Sequence, residues 1–501
     1  MTFGAITTSS ERTRCDMAMN LNLDELLADN KVPIESLITI RHKEVPDGDS
    51  MIQELHDNSF YQDDKGNMKL NDGVFARLYM TINEIVFANG AFYSPNGMQS
   101  VGLVQNEVLE SISDVMTTNI ASNTKKVVDA LKITAFRDDF DFADKMLIPF
   151  ANGDMELNGA KSWVFTLDGK QPVPYRLPVN FIPLNQPRKT PYFNKWLNDL
   201  FTPEDIVTLQ EYIGYCLLPT TRGQKCLLLI GDGGIGKSVI SDILTSIFGR
   251  SLTAPNDTQQ FLADKFKLAE LENQLVFYED DLSDKHLEET GVFKKLITNQ
   301  TYLTADRKNE QPFKFKPYCR FIMCGNDMLA SKYDKTDGFY RRLLPIRVKP
   351  KDPNRKNVPD MGARVAREAE GIIQWALVGL KRLLDNNWQF TVSERSEQYL
   401  NGYKAMSDHF PDFVEDAFEF GEDKTFTITE LLSTYKTWCR RSSITPCSDR
   451  VVTRWFANNS EKYRLESTNN IRMGGTRFRG YTGAEISAEF KAVKSGIIGL
   501  T

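Results

Sequence analysis

The sequence predicts an α/β protein: a core of buried parallel strands, an α+β region before it and a small helix-and-hairpin domain after it. Three observations carry this. First, Cys226, Leu227, Leu228, Leu229 and Ile230 form a short apolar run, a glycine-rich stretch follows, and Val239, Ile240, Ile243, Leu244, Ile247 and Phe248 then recur at helical spacing before Gly249. Second, three more apolar runs are spaced downstream, at 275–278, 318–324 and 343–348. Third, Thr427 with Glu430 makes a capping box that opens a helix through Leu431, Leu432, Tyr435 and Trp438. A second helix through Val451, Val452, Trp455 and Phe456 follows, and then two strands around Asn470 and Gly474-Gly475.

Bulk composition narrows the class. The chain has 501 residues, room for about three domains. Hydrophobic residues make up 41% and charged residues 26%, which is ordinary globular usage. A net charge of −6 excludes a uniformly basic polymer binder, so any nucleic-acid contact must come from local patches. The seven cysteines show no C-x-x-C spacing and the four histidines stand apart, so no zinc site is expected. Two cysteines fall in expected core strands, which points to reduced thiols. With no signal pattern and no 18-residue apolar run, the expectation is a soluble cytoplasmic protein with no membrane partner.

In chain order, residues 1–190 read as an N-terminal α+β domain. It has a polar tail over 1–20, a short helix at 21–27 and loops or short strands over 41–73. A hairpin about Asn89-Gly90 follows, then helices at 105–116 and 123–133, and a strand and turn at 148–153. Six prolines between 172 and 191 suggest a linker or irregular crossing segment. No carboxylate cluster suited to polymerase chemistry stands out before residue 190. Residues 191–222 form a helical lead-in or oligomerisation segment, 223–350 the core, 351–405 a helical segment, 406–485 the C-terminal domain and 486–501 a tail.

The chemistry concentrates in the core. Gly231, Asp232, Gly233, Gly234, Ile235, Gly236, Lys237 and Ser238 fit G-x-x-x-x-G-K-[ST], the phosphate-binding P-loop, with Val239 opening the helix behind it. Glycines let backbone N–H groups turn toward phosphates, and the helix N-terminus adds partial positive charge. Lys237 is expected on the β- and γ-phosphates of ATP and the Ser238 hydroxyl on Mg2+. The run at 275–278 ends in Glu279, Asp280 and Asp281, a strand tipped with acids. Glu279 is expected to hold the metal and Asp280 to polarise the attacking water, with Asp281 as a substitute. Residues 302–316 read as two strands about a tip containing Arg307 and Lys308, placed either to touch a phosphate backbone or as a solvated hairpin. Asn326, just past the strand at 318–324, can orient the attacking water. Arg341 and Arg342, before the last strand, either complete a neighbouring subunit's site or form a surface ion pair.

This order of parts resembles a superfamily 3 helicase, and more closely the helicase part of phage and plasmid primase-helicases of the satellite-phage and poxvirus type. Further stretches share the likeness: Leu209-Gln210-Glu211-Tyr212-Ile213-Gly214-Tyr215, Phe293-Lys294-Lys295-Leu296-Ile297-Thr298, and Gly371-Ile372-Ile373-Gln374-Trp375-Ala376-Leu377-Val378-Gly379. Residues 148–153 and 193–200 resemble the family's middle domain, and the likeness spans about 145–485. It implies an AAA+-like P-loop core and ATP-driven, 3′-to-5′ translocation on single-stranded or forked DNA. It also implies a ring, a hexamer of this chain, at work in phage, plasmid or mobile-element replication. Within it Lys237 and Ser238 take nucleotide and metal, Glu279 and Asp280 are the acidic pair, and Asn326 is the first sensor. Arg341 or Arg342 is the arginine finger, and Arg307 or Lys308 the DNA contact. Asn299 and Gln300 stand where the family carries glycines. The primase half is missing, which implies a separate primase or polymerase as partner. The competing readings are a divergent primase in the N-terminal region, or an ATP-switched origin-binding or loader protein.

The C-terminal 406–485 region reads as a winged helix. Arg440, Arg441, Arg450, Arg454, Arg472, Arg477 and Arg479 give it a basic bias suited to DNA, the alternative being a protein-binding module of the same fold.

Overall fold

The computed structural model describes residues 37–42, 49–232, 236–255, 257–282, 287, 290–298, 302–308, 311–329, 331, 334, 336–355, 358–407, 409–442, 444, 446 and 449–490. The expected tail at 1–20 and helix at 21–27 lie outside these residues, as do Gly233, Gly234 and Ile235. The architecture is mixed α/β, in two compact units: residues 1–330 with 341–397, and residues 331–340 with 398–501.

The first unit is organised on a five-stranded parallel sheet. Its strands are β1 (Cys226–Ile230), β2 (Leu252–Thr253), β3 (Val276–Glu279), β4 (Arg320–Gly325) and β5 (Leu343–Arg347), in the spatial order β2-β3-β4-β1-β5. All residues of β1, β3 and β4 are buried, as a parallel sheet covered on both faces requires. The four apolar runs read from the sequence therefore become neighbours here, and only the two-residue β2 has no counterpart among them. The order places β1 between β4 and β5, so the loop after β1 sits beside the end of β4.

Helices α1 (Pro191–Leu200) and α2 (Pro203–Tyr215) lead into β1. Thr202 caps α2 by accepting from the Asp205 N–H, and proline opens both helices, where its missing donor costs nothing. Helix α3 (Val239–Phe248) follows the glycine-rich loop. Its Ile240, Ile243, Leu244 and Ile247 share one buried cluster with Leu227, Leu229, Val276, Tyr278, Ile322, Cys324, Leu344 and Ile346. Helices α4 (Thr258–Ala263), α5 (Lys265–Leu268) and α6 (Thr290–Thr298) come next in the chain. On the other face, Phe277 packs on Phe261 of α4 and on Phe321, and Phe293 of α6 also meets Phe321. Helices α7 (Met361–Ala366) and α8 (Ala369–Asp385) follow the sheet. Gly214 on α2 and Gly379 on α8 let those helices approach closely, since a Cβ on either would fall within 2.3 Å of a backbone oxygen of the other.

The N-terminal region is α+β. A sheet of Ile38–His42, Ser162–Leu167, Gly153–Asn158 and Leu147–Phe150 carries one parallel pair and two antiparallel pairs. The hairpin between Val86–Ala88 and Ala91–Ser94 turns on Asn89 and Gly90, both at positive φ (49° and 79°). Residues 41–73, read as loops or short strands, hold the paired short strands Phe60–Gln62 and Met68–Leu70, but also helix Asp49–Asp57 and the start of helix Asp72–Asn83. The latter helix is capped by Asn71 and buries Phe75, Ala76, Leu78 and Tyr79. The proline-rich stretch is not a loose linker. Val173, Tyr175, Leu177, Val179 and Phe181 are all buried, an extended chain laying alternate residues into the core.

The second unit runs helix Phe410–Ala417, strand Phe418–Thr427, helix Ile428–Arg441, helix Asp449–Asn459, strand Glu466–Met473 and strand Thr476–Ile486. The strands pair antiparallel with Thr476–Ile486 in the middle. The capping box is formed: Glu430 N–H donates to Thr427 Oγ1 at 3.1 Å, and Thr427 N–H donates to the Glu430 carboxylate at 2.9 Å. Among the described residues no helix is long and apolar enough to cross a membrane.

Candidate functional site

The carboxyl ends of β1, β3 and β4 bring the expected core residues to one edge of the sheet. The Gly231 N–H donates to the Gly325 carbonyl at 3.0 Å, joining the loop's first residue to the last residue of β4. Gly236 is in the left-handed region at φ 98°, a conformation that needs glycine. Its carbonyl accepts from the Trp196 indole N–H of α1 at 3.0 Å. The Lys237 ammonium donates to the Gly231 carbonyl, to the Gly325 carbonyl at 2.8 Å and to Asn326 Oδ1 at 3.4 Å. Lys237 and Asn326, 89 residues apart in sequence, are thus neighbours. Ser238 is exposed at the head of α3, followed by half-buried Val239; Gly231 is half-buried and Asp232 exposed.

The two acids part company at the end of β3. Successive strand residues point to opposite faces. Val276 and Tyr278 join the cluster that holds α3. Asp280, exposed and one residue past the strand, lies within electrostatic reach of Tyr278 and Cys324 on that face. Its charge is felt there: with Asp242 of α3 it helps hold the Tyr278 hydroxyl above its ordinary pKa, after burial and Cys324. Cys324 is pushed up to about 12, chiefly by burial, with Lys237 opposing and Asp280 adding to the rise. Asp280 and Lys237 therefore both act on the Cys324 thiol. Glu279 points the other way. It is only 3% exposed, and its carboxylate accepts from the Thr258 hydroxyl and from the Thr258 N–H at 3.4 Å, at the start of α4. Burial raises its pKa above the usual carboxylate value, against the Thr258 bonds. The expected metal-holding residue is thus placed on the face opposite α3. Asp281 is exposed, next to a chain segment anchored by the Leu282 N–H on the Cys324 carbonyl at 2.7 Å.

Arg341 and Arg342 sit at the other end of the sheet. The Arg342 carbonyl accepts from Cys226 N–H at 2.7 Å, and the Arg341 carbonyl accepts from the Lys225 ammonium at 2.7 Å. Strand register runs from Cys226↔Leu343 at that end to Ile230↔Arg347 at the loop end, about 13 Å along the strands. The Arg341 side chain is exposed and Arg342 nearly buried. Burial, followed by the Arg341 charge, lowers the pKa of Lys225, with Glu397 opposing.

The hairpin at 302–316 forms as two short strands, Leu303–Ala305 and Phe313–Phe315. Its two expected DNA contacts differ. Arg307 is held by the Glu272 carboxylate and lies 4.0 Å over the Phe313 ring, so it braces the hairpin from within. Lys308 is exposed at the tip and Lys314 on the second strand. A Lys308→Ala, Lys314→Ala chain is expected to bind single-stranded DNA more weakly whatever its sequence. The slope of log affinity against log salt should flatten by about 1.4, since each lost phosphate contact on a single strand removes roughly 0.7. An unchanged slope in a salt titration would mean that the hairpin is only solvated surface.

Sequence reasoning missed Trp196, Thr258, Asp199 and Arg355 around these elements. Each reaches its partner across a long chain separation, which no local pattern signals.

A family of unknown function (DUF5906) matches residues 229–342, the stretch from β1 to the arginine pair. A search of curated proteins returns no match. Among solved structures, the chain is similar to the C-terminal region of NrS-1 in its apo form. One such structure has 16% identity and a TM-score of 0.48, covering 81% of this chain and 98% of that one. Another has 16% identity and a TM-score of 0.47, covering 83% and 100%.

Proposed function

We propose that this chain is an ATP-dependent DNA helicase of the superfamily 3 type, with a P-loop, AAA+-like core, a C-terminal winged helix and Mg2+ as cofactor. One observation carries the reading: Lys237 at the head of α3 meets Asn326 just past β4, beside the Cys324 thiol on which Lys237 and Asp280 both act. A mobile cation, a hydroxyl at a helix N-terminus, an amide and a carboxylate are the donor set that a nucleotide with its metal requires. In this reading Gly231–Ser238 binds the polyphosphate, Lys237 reaches the β- and γ-phosphates and Ser238 takes the metal. Bound Mg2+ supplies neutralisation of phosphate charge. Asn326 orients the attacking water. We assign the carboxylate on this water and on the metal's shell to Asp280, with Asp281 next to it. Glu279 is assigned a supporting part, holding α4 against the strand through Thr258.

Arg341 and Arg342 stand too far along the sheet to serve their own loop. This supports a role in a neighbouring copy's site, and with it a homo-oligomeric ring, a hexamer in the resembled family. The second unit's order of helix, strand, two helices and two strands supports the winged helix. Arg440, Arg441, Arg450, Arg454, Arg472, Arg477 and Arg479 are all exposed on it, a charge pattern suited to DNA. The work is replication of a phage, plasmid or mobile element in a host cytoplasm, alongside a separate primase or polymerase.

The test is strand displacement on a forked duplex. The wild-type chain is expected to release the labelled strand with ATP and not without it, and a Lys237→Ala chain to release none. ATP hydrolysis with no displacement on either fork polarity would leave an ATP-switched binding protein as the better reading.

A further inference from the structure

Outside the glycine-rich loop, α1 and the segment after β5 converge on Gly236. Trp196, fully buried, holds the Gly236 carbonyl through its indole N–H. From another side comes Arg355: a Cβ added to Gly236 would meet its guanidinium nitrogens at 3.2 and 3.8 Å and Leu200 Cδ1 at 3.8 Å. Arg355 is 15% exposed, and its Nε lies 3.0 Å from the Asp199 carboxylate at the end of α1. The same carboxylate takes Lys195 Nζ at 3.1 Å. Lys349, bonded to the Asn198 carbonyl, also feels the Asp199 charge. Two cations therefore contact this acid beside the loop, and a third feels its charge.

We propose that Arg355, seated by Asp199, is a positioning residue for the phosphate loop, and that together with Trp196 it sets the affinity for the polyphosphate of a nucleotide. This deepens the nucleotide-binding reading above and rests on it. The physical argument is preorganisation. Gly236 must hold φ 98° for Lys237 and the α3 N-terminus to be presented as they are. A glycine loses more backbone freedom than any other residue when it is fixed in one conformation. A hydrogen bond to the carbonyl and a guanidinium filling the space a Cβ would take restrict Gly236 before ligand arrives, which lowers the ordering cost of binding. A guanidinium suits the place better than an ammonium, because its fixed fork can face carboxylate and loop together. The charge acts in the same direction, since a partly buried cation is weakly screened and favours an anionic ligand nearby.

The test is ADP binding by titration calorimetry on the full chain, with thermal melting of the unliganded protein in parallel. Arg355→Gln and Trp196→Phe are each expected to weaken ADP about tenfold, a loss of roughly 1.4 kcal/mol. The unliganded melting temperature of Arg355→Gln should stay close to wild type, because that side chain is no part of the main apolar cluster. Trp196→Phe, which shrinks a fully buried ring of that cluster, is expected to melt lower, so its ADP affinity alone is read. A purely structural ion pair would give the reverse, a lower melting temperature with ADP affinity within twofold of wild type, and that result overturns the proposal. Trp196→Phe, which deletes one hydrogen bond and keeps an aromatic ring, decides the matter if Arg355→Gln does not fold. Lys237→Ala separates this proposal from the reading beneath it. If the wild type binds no ADP, or Lys237→Ala binds as wild type does, the phosphate-loop reading fails whatever Arg355 does. If Lys237→Ala loses ADP and the other two variants keep it, only the positioning role falls.

Discussion

A Lys237→Ala chain is expected to lose ATP hydrolysis by on the order of a thousandfold, the scale on which removing one preorganised charged donor lowers turnover. The ammonium is held by two carbonyls and an amide oxygen at the edge where β1 and β4 meet. Arg355 at Gly236 is engaged with Asp199, and Lys349 with the Asn198 carbonyl. The methyl of alanine leaves the α3 N-terminus and the Gly231–Gly325 bond in place, so the fold should survive. The measurement is steady-state phosphate release with saturating ATP. Retention of more than about a tenth of wild-type turnover would sink the assignment.

The second large effect separates two adjacent acids. Asp280→Asn is expected to bind ATP nearly as wild type does and to hydrolyse it about 10² to 10⁴ times more slowly, the usual weight of a positioned general base. Glu279→Gln is expected to retain most of its turnover, because its carboxyl lies on the opposite face with Thr258. Its signature is instead in stability. Burial raises the Glu279 pKa in the folded chain, so the folded state holds its proton more tightly than the unfolded chain does. That contribution is fully present below the unfolded value and is lost as pH rises through the folded one. Relative to wild type, Glu279→Gln should therefore melt at progressively higher temperature as pH climbs from about 4 toward neutrality. A collapse of turnover in Glu279→Gln, with Asp280→Asn losing metal-dependent binding, would exchange the two roles.

Much of the core was legible because its signals are local. Glycines in fixed positions, an apolar run that only a buried strand tolerates, and a helical stripe ending at Gly249 each act within about 20 residues. The Thr427–Glu430 capping box is the same kind of signal, two side chains one helical turn apart, and it forms as read. Asn89-Gly90 likewise carries its own turn, because both residues accept positive φ.

Tertiary structure decided what depends on the face of a strand and on distant partners. A strand's alternation can be read from its residues, but which face receives α3 is set by packing between segments far apart in the chain. So Glu279 and Asp280, adjacent and chemically alike, differ in their surroundings through packing alone, Glu279 buried on Thr258 and Asp280 exposed. Arg307 reads as a free basic tip until Glu272, 35 residues earlier, and Phe313 claim it. The proline-rich stretch reads as a linker or an irregular crossing segment because proline cannot donate to a ladder, and burial of Val173, Tyr175, Leu177, Val179 and Phe181 decides for the second. Gly236, named by the motif, owes its restraint to Trp196 and Arg355, brought together by the path of the chain on either side of the sheet. Local chemistry in the sequence determined which groups this protein has to work with; the long-range burial of apolar faces decided which way each of them points.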